Sequence, residues 1–154
     1  MKIIGIDPGY ARVGWGVISY EKSQAEYIDS DCFETDKKEN FSVRLELIYN
    51  FLLFTVQKYK ADCLVVEDLV FNTNQKTAIK VAQARGVILL AGQKLKIPVF
   101  EYTPLQVKNA LVGFGRASKN QIQSMLKHHL KVKDEFKQDD AVLDQHLLQK
   151  GNIL

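Results

Sequence analysis

Residues Cys63-Leu64-Val65-Val66 form a short, unbroken apolar run that stops abruptly at Glu67. A strand with one wet face alternates apolar and polar residues, so an unbroken run of this length reads as a central strand covered on both faces. Lys2-Ile3-Ile4-Gly5-Ile6 reads as a second buried strand, and it ends the same way, at Asp7, before the turn signal Pro8-Gly9. These two segments set the frame into which the rest of the chain must fit.

Residues 13–20 and 25–34 read as two further strands that form an antiparallel meander with the first, and 35–40 as a polar loop. From 42 to 59 apolar residues recur at helical spacing: Val43, Leu47, Ile48, Phe51, Leu52 and Phe54. After the central strand come a polar loop over 72–77, a helix from about 77 to 95, a strand over 98–102 and a short helix over 104–111. Gly113-Phe114-Gly115-Arg116 reads as a loop, Ser118 caps a helix over 119–130, and a last helix starts near Gln138 or Asp139 and ends near Gln149. Three strands followed by alternating helix and strand is a mixed α/β order. The 154 residues fit one domain, 1–154, with no repeat, low-complexity tract or linker.

Asp7-Pro8-Gly9 breaks the apolar start too early for a secretory leader, and no apolar run approaches the roughly 18–20 residues of a membrane span. Cys32 and Cys63 form no CxxC pair, so they read as reduced, buried thiols of a cytoplasmic protein rather than zinc ligands. The net charge of +3 says little, but its distribution says more. Between Lys76 and Lys133 there are eleven Lys or Arg and one acid, Glu101. Such a block suits a polyanion surface, with an ordinary solvated face as the plainer alternative.

Carboxylates at the ends of core strands need a reason, because burying one unpaired is costly. If the strands ending at Asp7 and Glu67 are neighbours, both acids meet at one sheet end, where ligand sites in α/β sheets gather. Divalent cations such as Mg²⁺ take hard oxygen ligands, and two held about 4 Å apart promote phosphodiester hydrolysis. The plainer reading makes Asp7 a turn residue and Glu67 a surface acid. Farther on, Asp140 and Asp144 are four apart, on one helical face continued by Leu143, Leu147 and Leu148. Acids on an apolar face fit ligands better than solvent decoration, whereas Asp139 suits a helix cap. His128, His129 and His146 make no ligand pattern with the cysteines, and neither a P-loop nor a GxSxG elbow is present.

Gly5-Ile6-Asp7-Pro8-Gly9 followed by Gly14-Trp15-Gly16 resembles the start of RuvC-type Holliday junction resolvases. So do Val66-Glu67-Asp68-Leu69, Gln83-Ala84-Arg85-Gly86-Val87, Pro98-Val99-Phe100-Glu101-Tyr102, Gln106-Val107-Lys108 and Val112-Gly113-Phe114-Gly115, in the family's order. The resemblance implies a ribonuclease H-like mixed sheet flanked by helices. It implies a homodimer that nicks two strands of a four-way DNA junction symmetrically, a substrate whose symmetry matches a two-fold dimer. Asp7, Glu67, Asp140 and Asp144 would hold Mg²⁺, with Mn²⁺ as the alternative ion. Lys108 and Lys119 match basic residues near the scissile phosphate, and Phe71 lies close to an aromatic pushed against bases at the crossover. Lys76, Arg85 and Arg116 complete the expected DNA-binding set, and the helix carrying Arg85 would lie in or near the dimer interface.

Two positions depart from the family pattern. The last two ligands usually stand three apart, but Leu143 holds that place here and the next acid is Asp144, so either Asp140 and Asp144 serve with a shifted register or Asp139 or Asp140 serves with only partial help. The aromatic usually stands three after the glutamate, where this chain has Val70, with Phe71 next. Rival readings are a fork or flap nuclease of the same fold, a junction-binding protein with impaired catalysis, and an actin-like nucleotide-binding domain. A branch-migration helicase stays open as a partner.

Overall fold

The structure is a computed structural model that describes residues 1–69, 75–113 and 118–130. Among them are strands β1 (Lys2–Asp7), β2 (Arg12–Glu21) and β3 (Gln24–Glu34), helix α1 (Phe41–Tyr59), strand β4 (Cys63–Glu67), helix α2 (Gln75–Leu95), strand β5 (Val99–Tyr102), and helices α3 (Pro104–Val112) and α4 (Lys119–Leu130). The five strands make one sheet in the order β3-β2-β1-β4-β5. β1, β2 and β3 form the expected antiparallel meander. β4 runs parallel to both β1 and β5. The unbroken apolar run is thus an inner strand, and Cys63, Leu64, Val65 and Val66 are all buried.

Successive side chains of a strand leave opposite faces, so the sheet has two cores. One face carries Ile4, Ile6, Leu64 and Val66, packed against Ile48, Leu52 and Val56 of α1 and Ala84, Ile88 and Ala91 of α2. The other carries Ile3, Cys63 and Val65, packed against Val107 and Leu111 of α3 and Ile122, Leu126 and Leu130 of α4. Each large aliphatic side chain buried this way contributes about 1.5–3 kcal/mol. α2 lies so close to the sheet that a Cβ on Gly92 would stand 2.3 Å from Val99 Cγ2.

α1 differs in detail from the sequence expectation. Its buried stripe is Arg44, Ile48, Leu52, Thr55 and Val56. Leu47 and Phe54 fall off that stripe and are 39% and 64% exposed. The buried Arg44 straps α1 to the loop after β1, donating from Nε to Thr35 Oγ1 (2.8 Å) and from Nη2 to the Tyr10 carbonyl oxygen (3.1 Å). Cys63 is buried as expected, but Cys32 is only half-buried because β3 is an edge strand; both thiols are free. No helix among the described residues is long and apolar enough to cross a membrane.

Candidate active site

β1 and β4 pair in register, with Ile6 beside Val66. Asp7 and Glu67 are the next residues on these parallel neighbours, about 4.8 Å apart across the ladder. Both leave the sheet on the face of Ile3, Cys63 and Val65, at the C-terminal ends of their strands, and both are half-buried. The two acids that the sequence could only place at strand ends are therefore brought together. Like charges this close favour a shared cation, and two hard-oxygen donors side by side suit a divalent one. No group of three His, Cys, Asp or Glu forms a metal site among the described residues. Asp139, Asp140 and Asp144, expected to complete the set, lie outside them.

Tyr102 pairs with Glu67 from the other side, at the end of β5. Burial, with Cys63 adding to it, pushes its phenol above the ordinary value, so it is a neutral neighbour at physiological pH. The chain then turns directly into α3 through a capping box. The Gln106 N–H donates to Thr103 Oγ1 (3.3 Å), and the Thr103 N–H donates to Gln106 Oε1 (2.8 Å). Pro104 at the first helical position fixes the entry. This start puts α3, with half-buried Lys108 about one turn in, over the sheet face that holds Asp7 and Glu67. Ser118 caps α4 as expected, accepting from the Gln121 N–H at 3.3 Å. Lys76 and Lys119 sit at the starts of α2 and α4, with side chains outside the description, and Phe71 and Arg116 lie outside the described residues.

Arg85 is placed differently from an open DNA contact. Its Nη2 lies 3.0 Å from Asp68 Oδ1 and also bonds Glu101 Oε2. By strand alternation Asp68 and Glu101 belong to the α2 face of the sheet, behind the Asp7–Glu67 pair. Sequence reasoning missed this cluster. Its one available signal was Glu101, the lone acid in the basic block. A second unforeseen cluster follows Asp7: Tyr10 meets Phe41 edge-on at 5.9 Å, and Lys80 Nζ lies 5.5 and 5.6 Å from the two ring centres.

A mixed sheet in this order, flanked by helices on both faces, places the chain in the ribonuclease H-like class. The chain matches the family model described as Crossover junction endodeoxyribonuclease RuvC over residues 3–144. A relative of that name from Clostridioides difficile is 49% identical over 92% of this chain and 83% of its own. One from Fusobacterium nucleatum is 45% identical over 92% of this chain and 74% of its own. The solved structure of Thermus thermophilus RuvC in complex with Holliday junction substrate superposes with a TM-score of 0.87 at 28% identity, covering 96% of this chain and 92% of that one. The chain belongs to the RuvC family of crossover junction endodeoxyribonucleases.

Proposed function

We propose that this chain cuts four-way DNA junctions as a homodimer, with Asp7 and Glu67 at the centre of each active site. The observation that carries the reading is the placement of these two acids one residue past the paired Ile6 and Val66 on parallel neighbours, on the face that α3 and α4 cover. Asp140 and Asp144 are the residues proposed to complete the ligand set. Mg²⁺ is the favoured ion because every proposed donor is a carboxylate oxygen, and Mn²⁺ is the alternative. The bound cations would supply a water activated for attack and charge compensation at the leaving oxygen.

The chain's own residues do the rest. Lys108, on the helix above the carboxylates, steadies the phosphate and the charge that develops on it. Lys76, Arg116 and Lys119 hold the junction arms by phosphate contact, and Phe71 presses against bases at the crossover. The dimer face is proposed along α2. Ile79 and Leu90 are 60% and 53% exposed, and they share one stripe with Gly86, opposite the buried Ala84, Ile88 and Ala91. A Cβ on Gly86 would meet nothing within 4 Å, which leaves a flat strip where a second helix can approach.

Asp7→Asn and Glu67→Gln should each abolish junction cleavage in Mg²⁺ while leaving junction binding in EDTA within a few-fold of the parent. Asp140→Asn and Asp144→Asn, made separately, test the rest of the set. Full activity in Asp144→Asn would remove it from the site, and full activity in Asp7→Asn would sink the reading altogether.

A further inference from the structure

The Arg85–Asp68–Glu101 cluster lies at the catalytic end of the sheet but on its opposite face. Arg85 is in the middle of α2, and only 17% of its side chain is exposed. Its Nε is buried with no hydrogen-bond partner, so the guanidinium is folded inward rather than offered to solvent. Asp68 follows Glu67 directly, and three contacts hold it. Its N–H donates to the Tyr102 carbonyl oxygen at 2.8 Å, extending the β4–β5 ladder one step past Glu67. Its Oδ1 accepts the Leu69 N–H at 2.8 Å and the Arg85 Nη2 at 3.0 Å. Glu101, one residue before Tyr102, closes the cluster from β5. Both residues that flank Glu67 across the ladder and along the chain are thereby tied, through their neighbours, to one arginine.

We infer that Arg85 is a positioning residue that holds the end of β4, and with it Glu67, from behind the sheet, and that it is not a DNA contact. This rests on the reading of Glu67 as a catalytic ligand. The cation also neutralises two acids that reach the same nitrogen from neighbouring strands. Without it Asp68 and Glu101 repel each other and push the strand ends apart, just where Glu67 must be fixed.

The test separates rate from binding. Arg85→Ala should slow single-turnover junction cleavage in Mg²⁺ by roughly 10–100-fold, the scale of an ångström-sized displacement. Junction affinity in EDTA, and its dependence on salt, should not change. Arg85→Lys should recover part of the rate. Adding Asp68→Asn and Glu101→Gln to Arg85→Ala removes the repulsion and should recover part of the rate, short of the parental value because the clamp is still missing. Weaker binding with a salt slope lower by about one would mark Arg85 as a phosphate contact and overturn the inference. So would a triple variant no faster than Arg85→Ala. If Arg85→Ala does not fold, Asp68→Asn/Glu101→Gln with Arg85 intact serves instead: slower cleavage with unchanged binding supports the clamp, and the parental rate overturns it. Glu67→Gln run in parallel reports separately on the catalytic reading, which fails if that variant cleaves normally.

Discussion

Replacing Gly9 by alanine should strike the active site without touching a carboxylate. A Cβ at this position would stand 2.1 Å from the Arg12 carbonyl oxygen, where real Cβ contacts essentially never fall under 3.0 Å. The obstacle is backbone at the start of β2, pinned to β3 by the Arg12–Glu34 pairing, so it cannot swing aside as a side chain would. Roughly 1 Å of opening must then be taken up in the Asp7-Pro8-Gly9 turn, within two residues of Asp7, and forced overpacking of this kind costs about 1–3 kcal/mol. Displacing a reacting group by about 1 Å costs up to ~100-fold in rate. The assay is single-turnover cleavage of a synthetic four-way junction in Mg²⁺, beside junction binding in EDTA and a urea melt. Cleavage slowed 10–100-fold with unchanged binding is the expected outcome. A variant that is less stable but cuts at the parental rate would show the opposite, that Asp7 tolerates movement of its own turn.

Leu90→Lys, which puts a charge in the middle of the proposed dimer stripe, should shift the protein from dimer to monomer in sedimentation velocity and uncouple the two nicks of a junction. A dimer of parental stability would move the interface elsewhere. Burial, with Asp62 adding to it, pushes the Cys63 thiol up to about 11. At pH 8 iodoacetamide should therefore label Cys32 in the folded protein and spare Cys63 until urea is added; equal labelling would contradict the buried assignment. Because the folded value lies above the ordinary thiol value, stability should be unaffected by this group near neutrality and should fall as pH rises from about 9 towards 11. Urea melts across that range check the sign, with Cys63→Ala expected to make the slope shallower, the remainder coming from groups such as Tyr102 whose phenol is also raised by burial.

The strand framework was legible because unbroken and alternating apolar runs report burial directly. The ends of β1 and β4 were legible too, since Asp7 and Glu67 interrupt core segments. Their adjacency was not, because it depends on strand order, and only the parallel β1–β4 pairing supplies it. Leu47 and Phe54 share the helical spacing of α1 but not its buried stripe, because spacing identifies a stripe and not its edges; the packing of α1 on the sheet and α2 decides those. Arg85 looked like one more cation in a basic block. Its engagement with Asp68 and Glu101 joins three elements, and no periodicity within any one of them encodes it. Asp140 and Asp144 are read from helical spacing and the family resemblance, with Leu143 standing where the family usually has a ligand.

We propose that the carboxylates at the adjacent ends of β1 and β4 cut branched DNA. This is tested most directly by offering the intact protein and Asp7→Asn a synthetic four-way junction, a fork and a plain duplex of the same sequence, each with Mg²⁺ and with EDTA. Paired symmetric nicks in the junction by the intact protein, only with Mg²⁺, little cutting of duplex and none by Asp7→Asn are expected. Binding without cleavage under any metal, or equal cutting of junction and duplex, would contradict the account.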